Sequence, residues 1–152
     1  MAKYMKFTFP ASGASARARL LEKEAPETSR ILWRRLPIEI DAFHAMYSGT
    51  CCAIFLDPAI LITTENATNL IQRGDLMFTH YDPGTRHGHP EGISEIYWAY
   101  DRYCSPRAPG HMGPVYPNIF GEFLPGSEAF FATSRAIARE GPKRLTVTGE
   151  AD

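Results

Sequence analysis

Between His80 and Glu95 the chain reads His-Tyr-Asp-Pro-Gly-Thr-Arg-His-Gly-His-Pro-Glu-Gly-Ile-Ser-Glu, a stretch with three of the five histidines and three carboxylates. The spacing His80-x6-His87-x-His89-x-Glu91 could hold one divalent transition metal, Zn or a similar borderline ion. Two imidazoles of a His-x-His pair on an extended segment point to one side, and His80 and Glu91 would complete the ligand set. The spacing matches no established metal motif. Beside two glycines and a proline, the same histidines also read as exposed loop residues.

A second set lies upstream. His44 and Ser48 fall on one face of a strand with Met46 between them, and Glu95 would join them from a separate strand. A hydroxyl, an imidazole base and a carboxylate to orient it are the parts of a small catalytic site. His44 equally reads as a core histidine with a satisfied hydrogen bond. Glu95 opens an otherwise aromatic run, Ile96-Tyr97-Trp98, which places it in a polar cleft or at the rim of the sheet, and the cleft is the reading preferred here. Cys51 and Cys52 are adjacent in a strand, so they face opposite ways and cannot chelate one ion. One belongs to the core, and the other is a weaker candidate nucleophile. Cys104 has no visible base nearby in sequence.

The elements that must position these groups are short strands. Residues 4–9 and 14–21 alternate apolar and polar, the period of half-buried strands, around the turn Pro10-Ala11-Ser12-Gly13. Pro26 and Glu27 suit the first turn of a helix of about three turns with Leu32, Trp33 and Leu36 inward, stopped by Pro37. Residues 42–47 and 51–56 read as strands around Ser48-Gly49, and Ile60 to Thr64 as a further strand ahead of a loop at 65–69. Leu76 to His80 and Glu95 to Tyr100 flank the histidine loop, and 101–118 reads as irregular. Ile119 to Phe123 is a strand, 127–140 a helix with Phe130, Phe131, Ser134, Ile137 and Ala138 inward, and 145–148 a closing strand. About eight strands with one early and one late helix predict a single domain over 1–152, mainly β. The expected form is a closed antiparallel barrel capped by a helix at each end.

Composition narrows the function. The chain of 152 residues is 44% hydrophobic and 22% charged with net charge −1, which argues against nucleic acid as a partner. No run reaches the roughly 20 apolar residues that span a bilayer, and no apolar leader opens the chain. With an odd cysteine count, these features predict a reduced cytoplasmic protein. The 12 glycines and 12 prolines imply many tight turns.

Several motifs together resemble the cyclophilins. Residues 18–28 resemble their strand entering a helix at Ala-Pro-x-Thr, 118–126 their Val-Phe-Gly-x-Val-x-x-Gly segment, and Gln72-Arg73-Gly74-Asp75 their Gln-Gly-Gly-Asp turn. The likeness is closer to a bacterial family of small cyclophilin-like proteins of unknown function. His44-Ala45-Met46-Tyr47-Ser48-Gly49, Gly74-Asp75-Leu76-Met77-Phe78, and Ser94-Glu95-Ile96 through Ala99-Tyr100 resemble that family's motifs in order. The resemblance implies a cyclophilin-like barrel, with the irregular segment covering a pocket. It implies ligand-binding roles for Tyr47, Tyr100, Arg107, His111 and Asn118, where Arg107 could fix a ligand carboxylate by a bidentate pair, although it reads more simply as a solvated loop arginine.

The departures matter equally. Cyclophilins place an arginine directly after a Phe-His pair to hold the prolyl carbonyl, and here Ala45 follows Phe43-His44. Met46 stands where the closer family tends to carry arginine. Prolyl isomerase activity is therefore expected to be absent. The leading expectation is a barrel that binds a small molecule, acting as a hydrolase on a small polar or cyclic amide. The alternatives are a non-catalytic peptide- or proline-binding module, and a homo-oligomer that uses Tyr97, Trp98 and Tyr100 as an interface.

Overall fold

The computed structural model describes residues 1–86, 88–108 and 113–152. Eight strands close into one antiparallel barrel: β1 (Lys3–Thr8), β10 (Lys143–Ala151), β3 (Ile38–His44), β4 (Gly49–Leu56), β6 (Ile93–Cys104), β5 (Asp75–Tyr81), β9 (Asn118–Phe123) and β2 (Ser15–Leu20), which returns to β1. β7 (Arg107–Ala108) and β8 (Gly113–Pro114) form a separate small ribbon. Closure leaves none of the eight barrel strands with an open edge.

The alternation in β1 does what the sequence predicts. Met5 and Phe7 point inward, fully buried, and the residues between them are half-exposed. β4, β5 and β6 behave differently, because both of their faces are covered. On the inner face Cys52, Leu76, Phe78, Ile96 and Trp98 join the main core. On the outer face Cys51, Ala53, Met77, Tyr97 and Ala99 form a second cluster, packed by Leu21, Ala45 and Ile71. Burial on both faces gives strands a continuous apolar run, as in Ile96–Tyr100, where all five residues are buried. The adjacent cysteines therefore serve two separate clusters.

A helix stands at each mouth of the barrel. α2 (Glu128–Glu140) sends Phe130, Phe131 and Ile137 into the core, and its Ser134 accepts a 3.0 Å hydrogen bond from the Trp98 indole N–H. α1 (Pro26–Trp33) closes the opposite mouth with Leu32. It has Pro26 in its first turn but no side-chain cap of its own. The Glu65 carboxylate accepts the Thr28 and Glu27 backbone N–H at 2.7 and 3.3 Å instead. No helix among the described residues is long and apolar enough to cross a membrane.

Four expectations are corrected. α1 has eight residues, nearer two turns than three. β3 starts at Ile38, directly after Pro37, and ends at His44, so 45–48 is a bend and not strand. Ile60 to Thr64 forms no strand; Ile60 and Ile62 instead pack on the core, and Ser94 Oγ bonds both the Ile60 N–H and its carbonyl at 2.7 and 2.9 Å. β6 continues to Cys104, which shortens the irregular stretch. The aromatic residues proposed as an oligomer interface are unavailable for one. Tyr97, Trp98 and Tyr100 are 2%, 0% and 5% exposed, because both faces of β6 are covered within the chain, Trp98 and Tyr100 by the main core and Tyr97 by the outer cluster.

A carboxyl and a guanidinium at the floor of an outer-face cleft

Glu95 lies directly opposite Phe55 of β4 and Thr79 of β5, on the face that points away from the barrel core. It is buried there nonetheless, at 8% exposure, because that face is covered. Its neighbour Tyr97 is bonded phenol to hydroxyl with Thr79 at 2.7 Å. Burial raises the Glu95 carboxyl to about 7, and the opposing charge of Arg86 offsets this only in part.

Arg86 comes from the loop between β5 and β6. Its guanidinium sits over the rings of Tyr81 and Phe55, 5.1 and 5.4 Å from their centroids, a cation–π cradle that holds it half-buried. Its Nη2 is 3.9 Å from Glu95 Oε2, too far for a hydrogen bond. Glu95 Oε2 and Arg86 Nε are both buried, and neither has a partner among the described residues. Successive turns shape the loop: Thr85 N–H to the Asp82 carbonyl, His89 N–H to that of Arg86, and Gly92 N–H to that of His89, each 3.1 Å. Gly92 closes it at φ +86°, where a Cβ would stand 2.9 Å from the Tyr81 carbonyl oxygen.

These two groups form the floor of a cleft of ≈ 140 Å³. Phe43, Ala53 and Phe55 wall it, and Met46, Tyr47, Ser48 and Arg107 make its lip. Phe43, Met46 and Tyr47 are 40%, 83% and 45% exposed, so the lip carries an apolar patch. Ser48 Oγ accepts the Arg107 N–H at 3.0 Å and thereby fixes where that arginine begins. A buried donor and a buried acceptor side by side, both unpaired, can each engage one end of a ligand's N–H/C=O group.

The structure places Glu95, Ser48, Tyr47 and Arg107 around this cleft, and His44 at its edge. It does not join His44, Ser48 and Glu95 into one hydrogen-bonded set. β3 pairs His44 with Cys52, an inner-face residue, so the His44 ring lies on the opposite face from Glu95. His44 Nδ1 is 2.8 Å from the Ala45 carbonyl and must donate to it, which leaves Nε2 to accept from the Tyr100 hydroxyl at 2.8 Å. The imidazole nitrogen that would activate Ser48 is thus already engaged. Tyr100 is buried on the inner side beneath Arg135, away from the cleft.

Asn118 is spent on the fold. Its amide accepts from the Glu65 N–H and donates to Thr28 Oγ1 and the Thr63 carbonyl, at 3.1, 3.1 and 3.0 Å. The histidine loop also divides. His80 contacts Ser94 and Asp82 at 3.3 and 3.1 Å on the inner side of β5, whereas His89 packs on the Phe55 ring, 5.2 Å between centroids, on the outer side. Glu91 is exposed. Among the described residues no group of three or more His, Cys, Asp or Glu side chains is placed to hold a metal. His87 and His111 lie outside the described residues.

Arg86 is the cleft residue that the sequence reading passes over, together with its aromatic supports Phe55 and Tyr81. The signal was an arginine inside a loop already singled out, but nothing local distinguishes it from a solvated one.

The fold and site together define a closed eight-stranded antiparallel barrel with two helices and an outer-face cleft. A family model of proteins of unknown function (DUF3830) matches residues 7–148, and the chain belongs to that family. No curated protein matches it. Among solved structures, McbB in complex with tryptophan is similar with a TM-score of 0.68 at 17% identity, covering 95% of this chain. This chain spans only 44% of McbB. The hypothetical protein AF2241 from Archaeoglobus fulgidus is similar with a TM-score of 0.59 and 17% identity, covering 97% of this chain and 94% of that one.

Proposed function

We propose that this barrel binds a small molecule through a carboxamide or related group, such as a lactam or urea, at the Glu95–Arg86 floor. The observation that carries the reading is the pair of buried, unpartnered atoms, Glu95 Oε2 and Arg86 Nε, on two residues that line one cleft. Leaving such groups unpaired costs about 1–3 kcal/mol each, more when charged, and a ligand that pairs both recovers that cost. An amide presents an N–H to Glu95 and a carbonyl to Arg86. The cleft is small against the roughly 300–1,000 Å³ of drug-sized sites, which suits a ligand of few atoms. The complex of McbB with tryptophan is in keeping with a small-molecule role, and the cyclophilin-like motifs are in keeping with an outer-face groove.

Hydrolysis is the chemistry this pair would perform. Glu95 takes a proton from an attacking water, Arg86 steadies the carbonyl oxygen as it gains charge, and the proton passes to the departing nitrogen as the C–N bond breaks. A carboxyl that titrates near neutral pH suits that exchange. Ser48 plays no nucleophilic part, because its Oγ holds Arg107. The test is an amide-resonance titration with small amides and lactams. Binding should be lost in both Glu95→Ala and Arg86→Leu, and intact binding in either variant overturns the reading.

The exposed lip of Phe43, Met46 and Tyr47 favours a second reading, a peptide groove. Prolyl turnover on an Ala-Pro peptide is expected to be absent in either reading, because Ala45 and not an arginine follows Phe43-His44. Resonance shifts with proline-containing peptides and none with small amides would favour the groove.

A further inference from the structure

The charges around the cleft are unbalanced. Arg86 and Arg107 both line it, and Glu95 is the one acidic side chain among its described lining residues. Arg86 is half-buried at the floor, whereas the Arg107 side chain is exposed at the lip. Arg107 also has no carboxylate within ion-pair distance among the described residues, a condition it shares with the exposed Arg34, Arg35, Arg73, Arg102 and Arg139, but of these it alone lines the cleft. Its backbone is held on both sides. Ser48 Oγ takes its N–H, and the β7–β8 ribbon pairs Arg107 with Pro114. An arginine with an anchored main chain, a side chain at a cleft mouth and no acidic partner is placed to receive an anion. The cleft thus carries a positive excess in a chain whose net charge is −1.

We propose that the cleft selects small anionic amides: ligands with a carboxylate at one end, taken by Arg107 at the lip, and a carboxamide or ureido group at the other, taken by Glu95 and Arg86 at the floor. This rests on the amide reading above and adds the charge of the ligand. The planar guanidinium fork matches a carboxylate by two parallel N–H···O bonds, which a neutral amide cannot reproduce at the same strength. Ser48 acts as a positioning residue, through the Arg107 backbone.

A matched pair of probes tests the charge alone. N-acetylglycine and N-acetylglycinamide have nearly the same size and shape, and only the first is an anion. Dissociation constants from amide-resonance titrations at low salt should favour N-acetylglycine by about tenfold or more, as expected for a charge-assisted hydrogen bond. Arg107→Gln should reduce that preference to near unity, and Arg107→Lys should keep part of it. Equal affinity of the wild-type protein for both probes overturns the anion proposal and leaves the amide site standing. A preference that survives Arg107→Gln overturns the assignment to Arg107. Failure of both probes to bind overturns the proposal together with the reading beneath it.

Discussion

Asn118 and Glu95 sit on the two strands that flank β5, each buried, one on the inner face and one on the outer. The protein treats them in opposite ways. Every polar atom of the Asn118 amide is bonded, and its partners come from α1 and the 57–73 segment, so it ties three parts of the chain together. The Glu95 carboxyl has one buried oxygen with no bond and a cation that stops short of it. A satisfied buried polar group specifies a fold. An unsatisfied one detracts from stability and is expected where something else is meant to bind.

Three substitutions test that contrast. Asn118→Ala removes three hydrogen bonds and strands their partners, which should cost about 3–4 kcal/mol in denaturant unfolding. A loss below about 1 kcal/mol would break the structural half of the comparison. Glu95→Gln should act in the opposite direction, and only at higher pH. The carboxyl titrates near 7 in the folded chain against 4.5 unfolded, so between those values the folded state holds the extra proton. Wild-type stability should therefore fall as pH rises from about 4.5 to about 7 and then level off, with a total of about 3 kcal/mol. Melting across that range should show Glu95→Gln gaining on wild type as pH rises, and parallel curves would place the cost elsewhere. The smallest effect belongs to Tyr100→Phe. It removes the hydroxyl that occupies His44 Nε2 and should cost about 1 kcal/mol, with ligand affinity unchanged. A weakened affinity would mean that His44 reaches the cleft chemistry after all.

The sequence carried the barrel further than the site. Alternation in β1 and β2, and the turn residues between the strands, are local signals that the structure follows. β6 was legible as a strand and Glu95 as a carboxylate in a cleft, because a charge opening an aromatic run is a conflict visible in one dimension. The placing of His44 with Ser48 failed for a definite reason. Alternation holds only while the chain stays extended, and it bends after His44, so the two side chains part. His80 and His89 separated similarly, one following the pleat of β5 and the other the turns of the loop. Arg86 was illegible because its environment is made by Tyr81 and Phe55, rings from two different strands that only the closed sheet brings around it.

The cap of α1 bears on the order in which the molecule assembles. Its eight residues are too few to persist alone, and its first N–H groups are finished by Glu65, 37 residues beyond Thr28. That contact exists only after the 57–73 segment has docked, so α1 is a late product of assembly and not a seed for it. A substitution at Glu65 should accordingly speed unfolding and leave the folding limb of a chevron almost unmoved.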